Sequence, residues 1–212
     1  MRTALIAGAS GLVGSSLLTL LVADSAYHKV ISIGRRKLEV EHPKLEQHII
    51  SFEKLDDLKI TVDDVFCCLG TTIKKAGSKD AFRKVDFEFP NLLSQFASNT
   101  GATSFHIITA MGADANSSIF YNSVKGEIED ELKSCKIDQI EIYRPSLLLG
   151  DRGESRFMES VGQHLMKATN FLFVGVLKNY KAISADKVAS FMLKQSFEVR
   201  KGLSVHLSGK MQ

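Results

Sequence analysis

Apolar positions along the chain gather into short runs that alternate with longer amphipathic stretches. The runs are 3–7 (TALIA), 29–34 (KVISIG), 47–52 (QHIISF), 64–70 (DVFCCLG), 104–110 (SFHIITA), 139–145 (QIEIYRP) and 203–208 (LSVHLS). Their length and their bounding polar residues predict strands. Between them Phe82, Val85, Phe89, Leu92, Leu93 and Phe96 recur every three or four residues, as do Val124, Ile128 and Leu132. That is the period of a helix with one buried face. The stretch 183–193 (ISADKVASFML) predicts a closing helix with Asp186 near its start, where a carboxylate suits the helix dipole. Strands alternating with helices give an α/β fold: a doubly wound parallel sheet of about seven strands. Ligands of such sheets bind beyond the carboxyl ends of the strands, so chemistry is sought just after each run.

Composition narrows this to one domain over residues 1–212. The chain has 212 residues, 44% hydrophobic and 24% charged, with a net charge of +3. That supports a sizeable core. The basic residues are scattered, so no nucleic-acid surface is expected. Of three cysteines, Cys67 and Cys68 are adjacent in an apolar run and read as buried thiols, not a disulfide framework. The six histidines lack ligand spacing, and no metal site is expected.

The opening carries the first candidate chemistry. Residues 6–14 read IAGASGLVG, with glycines at 8, 11 and 14. A charged start, an apolar stretch and small residues also outline a secretory leader. Against that, the apolar residues form two blocks, 4–7 and 17–22, of strand and helix character, with the glycines between them. A strand, a glycine turn and a helix make a dinucleotide-binding opening. In it Gly8 permits the turn, Gly11 lets backbone approach a pyrophosphate, and Gly14 lets helix pack on strand. Ala9, Ser10, Leu12 and Val13 complete the turn and present the helix N–H groups to phosphate. The N-terminus is therefore expected to be retained, and the protein to be cytoplasmic without a membrane span.

The second run ends in Gly34, Arg35 and Arg36, where an NAD-binding fold usually places an acid. Two cations there suit the 2′-phosphate of NADP, the alternative being a solvated basic turn. The fourth run ends in Leu69, Gly70, Thr71 and Thr72, which either approach a nicotinamide ribose or simply start a loop. Lys74, Lys75 and Lys79 beyond them read as a solvated loop. Tyr121 and Lys125 are four apart, so a helix brings them onto one face. A nearby ammonium favours the phenolate, which makes the two an acid–base device.

With GASGLVG (8–14), FCCLGTT (66–72) with AGS (76–78), MGAD (111–114), YNSVKGEIE (121–129) and RPSLLLGDR (144–152), the chain resembles the atypical short-chain dehydrogenases/reductases. It is similar in particular to the NAD(P)-binding group of Tat-interacting-protein oxidoreductases and their small bacterial relatives. The resemblance covers nearly the whole chain. It implies a Rossmann-type sheet that binds NADP(H) preferentially, with NAD(H) possible, through the glycines and arginines. It implies Tyr121 and Lys125 as the reactive pair, and Pro145 and Ser146 as the start of a loop closing over the nicotinamide. In one respect the sequence departs from the family: Met111 stands near the register of the usual Ser, and Met donates no hydrogen bond. Thr109, two residues earlier, is the nearest hydroxyl and the candidate substitute; Ser123 lies inside the Tyr–Lys helix. Residues 151–180 are left as a small C-terminal lid, where Arg152 and Arg156 either hold an anionic substrate or are solvated. The expectation is an oxidoreductase of a small carbonyl compound, monomer or homodimer; the alternative is an NADP(H)-sensing regulatory protein.

Overall fold

The computed structural model describes residues 1–149 and 179–212. Along the chain come β1 (Arg2–Ala7), α1 (Leu12–Ala23), β2 (Tyr27–Gly34), β3 (Leu45–Ile49), β4 (Asp64–Cys67), α2 (Ile73–Ala76), α3 (Lys79–Arg83) and α4 (Phe89–Asn99). They are followed by β5 (Ser104–Ile108), α5 (Phe120–Leu132), β6 (Gln139–Arg144), β7 (Leu148–Leu149), β8 (Ile183–Ser184), α6 (Ala185–Ser196) and β9 (Gly202–Leu207). Seven strands form one sheet in the order β3-β2-β1-β4-β5-β6-β9, and every pairing in it is parallel. The order reverses between β1 and β4, which opens a crevice at their carboxyl ends. β7 and β8 pair separately. This is the Rossmann-type α/β fold expected from the apolar runs. Of the expected lid, residues 151–178 lie outside the described residues, and Arg152 and Arg156 with them.

Alternation along each strand divides the core. Leu5, Ala7, Val65, Cys67, Phe105 and Ile107 face α4 and α5; Ala4, Ile6, Phe66, Ile108 and Tyr143 face α1 and α6. Burying each of the larger aliphatic or Phe side chains among them contributes about 1.5–3 kcal/mol. The third run enters the sheet earlier than its composition suggests. Phe52, at its end, belongs instead to a 3-10 turn, where its ring stacks on Phe89 with centroids 4.8 Å apart. β3 is an edge strand that is mostly half-buried, so its residues carry a weaker apolar signature.

The sheet face under α6 also holds polar groups. Ser104 donates to Asp64, which further takes Tyr27 Oη and the Arg2 guanidinium. Because the Ser104 proton goes to Asp64, His106 Nε2 donates to Ser104 Oγ at 2.8 Å, and His106 Nδ1 accepts from Tyr143 at 2.8 Å. Burial pushes His106 down to about 3, so the imidazole is neutral.

Between α3 and α4 the helix widens into one π turn, Lys84–Glu88, without a break in helical backbone angles at either junction. The apolar period read from Phe82 to Phe96 runs through it. The wide turn carries Asp86, 1% exposed, into the interior.

Candidate active site at the carboxyl ends of the strands

The glycine turn closes on the end of β4. Gly8 has φ +85°, and a Cβ there would lie 2.5 Å from the Cys68 carbonyl oxygen. A Cβ on Gly14 would lie 2.1 Å from the Gly8 oxygen, so only glycine lets α1 sit this close to β1. Gly11 is the N-cap of α1 and is exposed; no side chain caps the helix, and no acid lies in its first turn. The first N–H groups of a helix have no internal partner. Here they are left without a side-chain acceptor, as a phosphate site requires. The residues present therefore fit a dinucleotide pyrophosphate. Ala9 and Val13 point into the core and Leu12 packs against it, so these three can offer only backbone; Ser10 is exposed.

The reactive candidates stand on α5. Tyr121 is half-buried, its ring centroid 5.4 Å from that of Phe82. Lys125, one turn on, is buried, with Nζ 2.7 Å from Asp86 Oδ1. The other Asp86 oxygen accepts the Thr71 N–H at 2.9 Å. Gly70 passes over this pair: a Cβ on it would lie 3.6 Å from Asp86 Oδ1 and 4.0 Å from Lys125 Nζ. The next residue along α5, Gly126, fixes the helix against the preceding loop, since a Cβ there would lie 2.0 Å from Ala115 N. The structure thus brings Gly8, the β4 end and Lys125 together.

Thr109 is placed differently from its sequence role. Its hydroxyl is buried and donates to Glu129 Oε1 at 2.6 Å, and Glu129 in turn binds the Arg144 guanidinium through both oxygens. Glu129 beside it holds Arg144 charged, above its usual range. Thr109, expected to take the place of the missing Ser, thus has its hydroxyl engaged by this buried pair. Met111, whose N–H donates to Pro145 O at 3.3 Å, fills the neighbouring position. Ser123 donates to Glu127 at 2.8 Å.

Arg35 and Arg36 follow β2 and are exposed, with no side-chain partner among the described residues. Leu69 packs against the core under α4. Thr72 caps α2 by accepting the Lys75 N–H at 3.2 Å, so its hydroxyl has a local structural task. Pro145 is buried, and the Ser146 hydroxyl meets Lys181 O and Ser208 Oγ, which ties the strand end to the C-terminal segment. Burial pushes the Cys67 thiol up to about 12, which leaves it an inert core residue.

Three site residues were missed in the sequence: Asp86, Glu129 and Arg144. Asp86 comes four residues after Phe82 and three before Phe89, and Glu129 follows Ile128 and comes four after Lys125. For these two, a charge in a buried register of a periodic helix is the available signal; Arg144, at the end of β6, carries none.

No family model matches the chain. Protein HTATIP2 of Rattus norvegicus is 39% identical over 161 residues, which span 73% of this chain and 66% of that protein. The mitochondrial protein FMP52-1 of Scheffersomyces stipitis is 31% identical over 183 residues, 83% of this chain and 76% of its own. The mitochondrial protein fmp52 of Aspergillus niger is 30% identical over 198 residues, with 89% and 84% covered. Among solved structures, the Bordetella bronchiseptica enzyme WbmH in complex with NAD+ superposes with a TM-score of 0.72 at 18% identity, covering 99% of this chain and 76% of WbmH. A short chain dehydrogenase family protein from Francisella tularensis gives 0.67 at 15% identity, with both chains fully covered. At these identities the two structures share the fold alone.

Proposed function

The chain belongs to the family of HTATIP2 and the FMP52 proteins, an atypical short-chain dehydrogenase/reductase group, and from that premise we propose that it is an NADP(H)-dependent reductase of a small carbonyl compound. The observation that carries this reading is the meeting of Lys125 with the Gly70 backbone at the end of β4, which itself abuts the glycine turn at Gly8. For a dinucleotide held at the α1 N-terminus, Lys125 would be the residue to hold its nicotinamide half.

When bound, the cofactor supplies the hydride. Tyr121 gives its phenolic proton to the alkoxide that develops on the substrate. Lys125 donates to the nicotinamide ribose. Arg35 and Arg36 receive the 2′-phosphate, where their exposure leaves them available. Titration with NADPH, followed by a panel of carbonyl compounds monitored by NADPH absorbance, tests the reading. Saturable binding with consumption in at least one case supports it; absence of nucleotide binding overturns it.

One observation favours a second reading, a weakly catalytic NADP(H)-sensing protein. Thr109 is committed to Glu129 and the Met111 side chain has no donor, so neither of these two side chains is free to polarise a carbonyl at this strand end. Binding without turnover across the panel supports the sensor. Among the described residues no helix is long and apolar enough to cross a membrane. A cytoplasmic protein, monomeric or homodimeric, remains our proposal; the fungal relatives are named as mitochondrial, and imaging of the tagged chain in its host decides between the two.

A further inference from the structure

We propose that Asp86 is a positioning residue that sets where Lys125 stands for the nicotinamide half of the dinucleotide; the inference rests on the oxidoreductase reading above. A single carboxylate joins two elements that the chain brings in from different places. Oδ2 takes the Thr71 N–H at 2.9 Å and so fixes the loop after β4, while Oδ1 lies 2.7 Å from the Lys125 ammonium on α5. The two side chains are 1% and 5% exposed, and an ammonium at that depth is costly unless a carboxylate faces it. The wide π turn at Lys84–Glu88 brings Asp86 inward, and Gly70 leaves the space over the pair free of a side chain.

The geometry of the contact is also informative. Asp86 Oδ1 meets the ammonium as a charge-assisted contact at 2.7 Å. Among the described residues the ammonium makes no other ion pair, so Asp86 engages only part of its three N–H groups. Asp86 therefore holds the lysine in place while leaving the remaining N–H groups for a ribose hydroxyl. The carboxylate acts through Lys125 and does not itself touch ligand, because Oδ1 is fully enclosed.

The test compares two ligands on the full chain: NADPH, which reaches Lys125, and 2′,5′-ADP, which carries only the adenosine half. Asp86→Asn keeps the size and the acceptor for Thr71 but removes the charge. The expected result is roughly tenfold or greater weakening of NADPH, with 2′,5′-ADP unchanged within about twofold. Combining Asp86→Asn with Lys125→Met should weaken NADPH no further than Lys125→Met alone, because both changes break one link. Equal weakening of both ligands marks Asp86 as merely structural and overturns the proposal, as does a double variant whose losses multiply. Should Asp86→Asn not fold, Asp86→Glu keeps the charge but displaces it, and the same split between the two ligands decides. If the unmutated chain binds neither ligand, the oxidoreductase reading itself fails; if it binds both and the variant shows no split, only the role of Asp86 fails.

Discussion

The Thr109 hydroxyl donates to Glu129 Oε1 at 2.6 Å, across the buried interval between the end of β5 and the body of α5. The contact joins the strand end where the substrate carbonyl is expected to the helix that carries Tyr121 and Lys125. It makes Thr109 a brace. Thr109→Val keeps the shape and removes the donor from a buried carboxylate. The expected cost is about 2 kcal/mol of stability, or roughly 4–8 °C in Tm for a chain of this size. Any carbonyl reduction should keep its kcat within a few-fold. Thermal unfolding beside steady-state kinetics checks this; a large loss of kcat at unchanged stability returns Thr109 to the chemistry.

Arg35 and Arg36 should give preference for NADPH over NADH. A hydrogen bond to a charged group contributes about 1.5–3 kcal/mol, which corresponds to roughly ten- to hundredfold in affinity. Changing both to Ala should remove most of the difference without weakening NADH. Isothermal titration with the two cofactors measures it, and equal affinities in the unmutated chain refute the assignment.

Tyr121→Phe separates binding from chemistry. The ring keeps its contact with Phe82 but has no proton to give. On a substrate that the unmutated chain reduces, turnover should fall by about 10²–10⁴-fold, while NADPH affinity stays within about twofold. Full retained activity would falsify the role of the phenol.

The neutral His106 makes stability depend on pH. Burial lowers it to about 3 in the fold, whereas an unfolded histidine titrates near about 6.5. Below that pH the unfolded chain takes up a proton that the native chain refuses. Stability is therefore complete above about pH 6.5 and lost as pH falls, at about 1.4 kcal/mol per unit, or roughly 2 kcal/mol by pH 5. His106→Phe should flatten the slope of unfolding free energy against pH between 5 and 6.5, whatever it does to the absolute value. Urea unfolding at several pH values reads the slope.

The frame of this site was legible in the sequence because it is written in local patterns. The apolar runs gave the strands, and Gly8 and Gly14 occupy places where a Cβ would strike backbone. The spacing of Tyr121 and Lys125 put them one turn apart. What was hidden depends on partners far along the chain. Asp86 reads as an interruption of an apolar helix face until Thr71 and Lys125 are placed beside it. Glu129 meets Thr109 and Arg144 only after β5, α5 and β6 are assembled. Asp64, Ser104 and His106 stand at or near the beginnings of apolar runs, where polar residues read as solvent-facing; Tyr27, Tyr143 and Arg2 become their partners only through the sheet.

The π turn at Lys84–Glu88 has a consequence for descent. It holds one residue more than a regular turn, as if a single codon had been inserted into the gene. Deleting one residue there would restore an ordinary helix and rotate one flank against the other by about 100°. Either Leu93 and Phe96 would leave the core, or Asp86 would swing away from Lys125. Side chains on the exposed face of that helix can therefore be exchanged without disturbing the register, but the helix cannot be shortened by one position.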